Sequence, residues 1–76
     1  MPKLPSVSGQ AVVRAFEKVG FRVDRVRGSH HIMIKEGHRN ILAVPVHRGK
    51  DVRKGTLHGL ITKSGLSVEE FIDLLD

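Results

Sequence analysis

Three short runs of β-prone residues, separated by brief polar turns, constrain the fold of this chain more than any other feature. The runs span 21–26, 31–35 and 41–46, and Gly28 lies in the first of the two turns. Loops this short allow only antiparallel pairing between consecutive strands, because a parallel pair needs a long crossover connection. Pro45 cannot donate a hydrogen bond to a sheet, so we expect it at a strand end or on an edge. The sequence therefore predicts a three-stranded antiparallel meander.

A helical pattern precedes the first strand. Ser8 is a suitable N-cap, and Gly20 followed by Phe21 is typical of a Schellman C-cap. Between them, apolar residues recur at the i, i+3, i+4 and i+7 spacing of one helical face, at Val12, Ala15, Phe16 and Val19. We predict a helix over about 8–19.

Two further helices are predicted after the strands. One helical face carries Leu57, Leu60 and Ile61 and ends at Gly65, and the capping-box spacing of Ser67 and Glu70 begins a short third helix. Amphipathic helices that cover one face of a sheet make a two-layer α+β sandwich, here in the order α-β-β-β-α-α. With 76 residues, we expect a single domain over 1–76.

The absence of cysteine restricts the chemistry that the chain can perform. It excludes disulfides and thiolate sites for zinc or iron–sulfur clusters. The N-terminal residues lack the apolar core of a signal peptide, and no run approaches the length of a membrane span. We therefore expect a cytoplasmic protein with no membrane contact.

Positive charge is concentrated in the middle of the sequence. Between residues 22 and 63, ten lysines and arginines stand against three acidic residues, and all five histidines lie in the same stretch. A field of this sign attracts polyanions, of which RNA and DNA are the usual examples for a small basic protein. A solvated basic surface that only keeps the domain soluble would explain the composition equally well.

Two adjacent histidines, His30 and His31, stand where the Gly28 turn becomes the second strand. Neighbouring strand residues point to opposite faces, so this pair cannot readily share a metal ion, and we predict no metal site. The sequence contains neither a cysteine nor a serine in a G-x-S-x-G motif, so no nucleophile for acyl transfer is indicated. Histidine titrates near neutral pH. A histidine surrounded by cations therefore suits metal-free RNA cleavage, which needs a base for the 2′-hydroxyl and positive charge for the phosphate.

Strand geometry relates these histidines to the core and to His47. The isoleucines of the second strand share a face with His30, whereas Met33 shares a face with His31. If the isoleucines face the helices, His30 is partly buried and His31 is exposed. Pairing of the second and third strands brings His47 near the Gly28 turn, on the face of either histidine depending on the register.

The remaining candidate residues are basic, and most of them lie in one charged loop. Arg48, Lys50, Arg53 and Lys54 cluster on a segment that we expect to be flexible and close to the histidines. His38 and His58 are interpreted as surface residues.

Four short motifs, in this order and spacing, resemble one protein family. They are Gly20-Phe21 after the first helix, Gly28-Ser29-His30 at the second strand, Pro45-x-His47 closing the third strand, and Lys54-Gly55-Thr56 opening the next helix. Together they are similar to the HicA toxins, also called YcfA-like proteins, which are the ribonuclease partners of HicB antitoxins. The resemblance runs from about residue 20 to residue 71.

The resemblance implies a fold like that of the double-stranded-RNA-binding domain and cleavage of mRNA without a metal ion or other cofactor. It also implies a type II toxin–antitoxin system in which a HicB-like antitoxin is the partner. The family's essential histidine falls on His30, with His31 as the alternative and His47 as a candidate second catalytic group. The residues expected to bind RNA are Arg27, Arg48, Lys50, Arg53 and Lys54. Two other functions remain open, a non-catalytic RNA-binding module and a protein-interaction domain whose basic face meets an acidic partner.

Overall fold

The structure is a computed structural model that describes residues 3–75. Within these residues, the elements in chain order are α1 (Gly9–Glu17), β1 (Arg22–Arg27), β2 (His30–Ile34), β3 (Leu42–Pro45), α2 (Lys54–Ser64) and α3 (Val68–Leu74). This order confirms the predicted α+β architecture. Each strand limit differs from the predicted one by one residue, and the difference makes His30 the first residue of β2.

The sheet is an antiparallel meander with the strand order β1-β2-β3. His30 pairs with Pro45 and Met33 pairs with Leu42, so β2 lies between the two other strands. Pro45 is the last residue of β3, which is also an edge strand, as predicted. The register of β1 against β2 shifts between Val23 and Arg25.

The predicted caps of α1 are confirmed. The Ser8 hydroxyl accepts a hydrogen bond from the Ala11 N–H at 3.1 Å. At the other end, Gly20 has a φ of 102° and the Phe21 N–H donates to the Phe16 carbonyl at 3.2 Å. This is the Schellman pattern, in which glycine supplies the left-handed conformation and the next apolar residue folds back onto the helix.

The predicted capping box also begins α3. The Ser67 hydroxyl accepts from the Glu70 N–H at 3.0 Å, and the Ser67 N–H donates to Glu70 Oε1 at 2.9 Å. The bond from the Ser67 backbone, followed by the Ser67 side chain, lowers the pKa of Glu70 below its ordinary value of 4.5. The cap fixes the start of a short helix that buries Phe71.

The helices cover one face of the sheet and form the core with it. Phe16 is at the centre, with ring centroids 5.8 Å from Phe21 and 5.4 Å from Phe71. The strands contribute the fully buried Met33, Leu42 and Val44, and the helices contribute Val12, Phe16, Leu57, Ile61 and Phe71. None of the helices formed by residues 3–75 is long and apolar enough to span a membrane.

Candidate active site

The turn between β1 and β2 positions His30. Strand β1 ends at Arg27 and β2 begins at His30, so only Gly28 and Ser29 connect them. Gly28 has a φ of 58°, whereas no residue other than glycine in the described chain has a positive φ. A two-residue loop with glycine first is the type II′ hairpin turn. The turn places Arg27 directly opposite His30, at the separation at which cross-strand side chains interact.

The register of β2 against β3 brings His47 to His30. His30 is opposite Pro45, and the pairing continues one step further because the Val46 N–H donates to the Ser29 carbonyl at 2.7 Å. Side chains alternate between faces, so His47 follows Pro45 onto the face of His30. The register, which the sequence left open, is therefore the one that places His30 and His47 on the same face. Both imidazoles line the same cleft.

This cleft, of about 340 Å³, collects more of the predicted site residues than any other part of the described chain. Its lining residues are His30, Pro45, His47, Lys50, Asp51, Val52, Arg53 and Thr56. Two imidazoles and two cationic side chains therefore face a single carboxylate. Such a cleft favours an anionic group such as a phosphate.

The loop that carries Lys50 and Arg53 is anchored to the segment before α1. The Val52 N–H donates to the Val7 carbonyl at 2.8 Å, and Ser8 forms an antiparallel bridge with Asp51. The Val52 side chain is buried in the core. Residues 51–52 are thus held in place, whereas the charged, glycine-containing sequence of this loop predicted a flexible segment.

The start of α2 adds to the positive potential of the cleft. Arg53 is the N-cap residue and forms no side-chain capping bond, and the first turn of α2 contains no acidic residue. Thr56, in that first turn, lines the cleft. Because the N-terminus of a helix carries a partial positive charge, this end of α2 also favours an anion.

The expected orientation of the two adjacent histidines is wrong. The strand residues that pack into the core are Met33, Leu42 and Val44, so the helices cover the face of His31. His31 is half-buried beside Val13 of α1, and His30 is exposed on the opposite face.

The reason for this error is that three consecutive apolar residues follow the histidines. The stretch Ile32-Met33-Ile34 has no alternation of apolar and polar residues, so the sequence does not indicate which face of β2 is buried. Ile32 is also 8% exposed, but it is not part of the core cluster. The buried pair Leu42 and Val44 on β3 decides the face, and it does so through pairing that is visible only in the sheet.

The predicted RNA-binding residues divide into two groups. Arg27, Lys50 and Arg53 lie at His30 or in its cleft. Arg48 instead lines a neighbouring cleft with Ser8, Gly9 and Gln10, which it shares with His47. Lys54 lines a groove of about 920 Å³ together with Lys3, His58 and Glu69. That groove is larger but contains neither His30 nor His47, so the smaller cleft is the candidate site.

Two polar residues of the cleft, Asp51 and Thr56, were not predicted as site residues from the sequence. Asp51 is an acidic residue inside a basic loop, and no pattern in the sequence assigned it to the site. Thr56 belongs to the Lys-Gly-Thr motif, which is one of the motifs similar to those of HicA toxins. This motif could have indicated that Thr56 is part of the site.

The histidines outside the cleft differ from each other. His38 is half-buried, and its Nε2 lies 2.8 Å from the Lys63 carbonyl at the end of α2. Its ring also packs edge-on against Phe21 at 5.2 Å. The interpretation of His38 as a surface residue is therefore wrong, whereas His58 is exposed as predicted.

No three histidine, aspartate or glutamate side chains of residues 3–75 converge as a metal site.

Comparison with known protein families identifies the family of this chain. A family model described as the HicA toxin of bacterial toxin–antitoxin systems matches residues 9–66 of the 76. The matched region extends from the first residue of α1 to just beyond the end of α2, and it includes every residue of the cleft. No curated protein matches the chain.

Proposed function

The chain belongs to the HicA toxin family, and from this premise we propose that it is a metal-independent endoribonuclease that cleaves mRNA in the cytoplasm. Membership of the family makes it the toxin of a bacterial toxin–antitoxin system. The observation that supports cleavage is the meeting of His30 and His47 with Lys50 and Arg53 in one cleft.

In this mechanism, His30 is the general base. A neutral ring nitrogen of His30 accepts the proton of a ribose 2′-hydroxyl, and the resulting oxygen attacks the adjacent phosphorus. The bond from phosphorus to the 5′ oxygen breaks, leaving a 2′,3′-cyclic phosphate and a 5′-hydroxyl. The exposed position of His30 at the mouth of the cleft allows a ribose to reach it.

The other cleft residues act on the charge and on the leaving group. Lys50 and Arg53 stabilise the negative charge that grows on the pentacovalent phosphorane, because fixed cations are most effective where charge develops. His47, in its protonated form, donates a proton to the departing 5′ oxygen. One histidine thus accepts a proton while the other donates one, and the reaction needs no metal-bound water.

The partner in this proposal is a HicB-like antitoxin that covers the cleft and holds the enzyme inactive, as in a type II system. The cleft presents cations to its surroundings, so an antitoxin that blocks it would offer acidic side chains. Family membership requires an antitoxin partner.

The test is cleavage of a single-stranded RNA by the purified protein in the presence of a chelator. The His30→Ala variant should lose about 10²–10⁴-fold in cleavage rate, the usual cost of losing a positioned general base. His58→Ala is the matched control, since His58 is an exposed histidine outside the cleft, and its rate should equal that of the wild type.

Three results would contradict the proposal. They are full activity of His30→Ala, cleavage that disappears with the chelator, and cleavage of a substrate in which the 2′-hydroxyl at the scissile position is replaced by hydrogen. If the wild type slows the electrophoretic migration of RNA without cleaving it, the result would instead support a non-catalytic RNA-binding module.

A further inference from the structure

A register shift in β1 places Arg25 and Arg27 on the same face of the sheet as Arg22, which is the face that the helices leave open. Arg22 is opposite Ile34, Arg25 is opposite Ile32, and Arg27 is opposite His30. These three β2 residues alternate with Met33 and His31, which face the helices. All three arginines are exposed. Their partners on β2 are separated by four regular steps, so the row of arginines is about 13 Å long.

This arrangement depends on the register shift at Asp24. Arg22 and Val23 pair with Ile34 and Met33, so an unbroken register would place Asp24 opposite Ile32. The bulge leaves Asp24 without a partner in the ladder and places Arg25 there instead. Without it, the open face would carry an aspartate and a valine in place of two arginines.

Apolar side chains lie beside this row of arginines. Ile32 and Ile34 lie at the centre of the open face, where Ile32 is buried by its neighbours and Ile34 is half-buried. The exposed Ala43 and the half-buried Pro45 of β3 continue the face, since Ala43 is opposite Ile32 and Pro45 is opposite His30. The face is thus cationic along one edge and aliphatic across its middle. All three phenylalanines of the chain are buried, and the sequence contains no tyrosine or tryptophan.

We propose that this open face binds the single-stranded part of the RNA substrate, with phosphates along the three arginines of β1 and bases over the accessible aliphatic residues Ile34, Ala43 and Pro45. The inference rests on the proposed ribonuclease function, and it extends the site from the cleft to the sheet. Because Arg27 is opposite His30, a strand that follows the arginines reaches the cleft at its end.

A single strand suits this surface better than a duplex. The bases of a duplex are stacked inside the helix, whereas an unpaired strand can lay its bases on side chains and on guanidinium planes. With no aromatic platform, contacts to the bases are weak and to the backbone strong, so sequence preference should be low and salt dependence steep.

The existing partner of Arg25 does not prevent this binding. Arg25 Nη1 lies 3.1 Å from Asp24 Oδ2, and the two side chains are 55% and 35% exposed. Exposed ion pairs contribute little to stability, so a phosphate can displace the aspartate at small cost.

The test measures how binding depends on salt, using a single-stranded 2′-O-methyl RNA that cannot be cleaved through the 2′-hydroxyl. The triple variant Arg22→Gln, Arg25→Gln, Arg27→Gln removes three charges from the open face. The slope of log affinity against log salt should become shallower by about 2, since each phosphate contact on a single strand contributes about 0.7.

The control variant removes the same charge elsewhere. Arg14→Gln, Arg39→Gln, Lys63→Gln changes exposed positions on α1, on the turn between β2 and β3, and on α2, and its slope should equal that of the wild type. Circular dichroism verifies the fold of both variants. An equal loss in both variants would overturn the inference, because binding would then follow net charge alone.

Other results separate this inference from the proposed function. If the wild type cleaves RNA while the arginine variant keeps its slope, the sheet-face inference fails and the ribonuclease proposal stands. If the wild type neither binds nor cleaves, both fail. Tighter binding of duplex RNA through the same arginines would overturn the choice of a single strand. Loss of inhibition by the antitoxin with an unchanged RNA slope would assign the face to that protein.

Discussion

At the scale of single residues, His30 and His31 are neighbours in sequence with opposite environments. His30 is exposed at the cleft, while His31 lies under α1 and its Nδ1 atom is buried without a hydrogen-bond partner among the described residues. A buried polar atom without a partner costs about 1–3 kcal/mol of stability. His30 is therefore accessible to a substrate, whereas His31 packs at the edge of the core.

We expect His31→Leu to raise the free energy of unfolding by about 1 kcal/mol, because it replaces an unsatisfied nitrogen with apolar volume. Urea unfolding measures the change, and the RNA cleavage rate of the variant should stay at the wild-type level.

His30→Leu is the reciprocal variant and should behave in the opposite way, with almost unchanged stability and lost cleavage. If His31→Leu folds and is inactive, the catalytic role belongs to His31.

At the scale of elements, the N-terminus of α1 is packed directly against the end of β3. A Cβ atom on Gly9 would overlap the Pro45 carbonyl oxygen and lie 2.7 Å from Val46 Cα. The close packing of Gly9 against the backbone of Pro45 and Val46 holds in place the segment that leads into His47. Gly9 is therefore a requirement of close approach between two backbones, and its φ is not in the left-handed region.

Gly9→Ala should lower the free energy of unfolding by about 1–3 kcal/mol, as overpacking of a filled site usually does. RNA cleavage by the folded variant should also fall, because a displacement of about 1 Å at a catalytic group can cost about 10²-fold in rate. Thermal unfolding and cleavage rate are the two measurements.

The matched control is Gly59→Ala in the interior of α2, where a Cβ meets no atom within 4 Å. The same substitution should there raise stability by about 0.5–1 kcal/mol, since alanine loses less backbone freedom than glycine in a helix. A stable and fully active Gly9→Ala variant would show that this packing does not position the site.

At the scale of the whole molecule, charge is separated between the sheet side and the C-terminal helix. The chain carries a net charge of +5, and its cations include those of the cleft and of the open sheet face. Helix α3 instead carries Glu69, Glu70 and Asp73 with no basic residue. A polyanion is therefore attracted more strongly to the cleft and the open sheet face than to the acidic surface of α3.

Expression of the chain alone in bacteria should arrest growth, and co-expression of its antitoxin should restore growth. Growth curves with quantified protein levels measure both effects. The His30→Ala variant is the control, because it should accumulate to higher levels without harm.

A wild-type chain that accumulates folded and leaves growth unaffected would count against activity as a toxin. Toxicity that persists in His30→Ala would mean that the harm does not come from cleavage by this histidine.

The sequence by itself determined the order of the elements and, to within about two residues, the ends of the first helix and of the three strands. The caps at Ser8, Gly20 and Ser67 and the short turns between strands are local signals, because each depends on residues within a few positions of one another. For the same reason the motifs sufficed to indicate the family and to select His30 and His47 as candidates.

Only the tertiary structure decided which face of the sheet is buried and which side chains meet. The run Ile32-Met33-Ile34 has no alternation to read, so the exposure of His30 followed from the pairing of β2 with β3. Asp24 is left unpaired in the bulge, and this single residue moves Arg25 to the open face of the sheet. A one-residue change of register moves every following side chain to the other face of a strand, and register is set by contacts between residues that are distant in sequence.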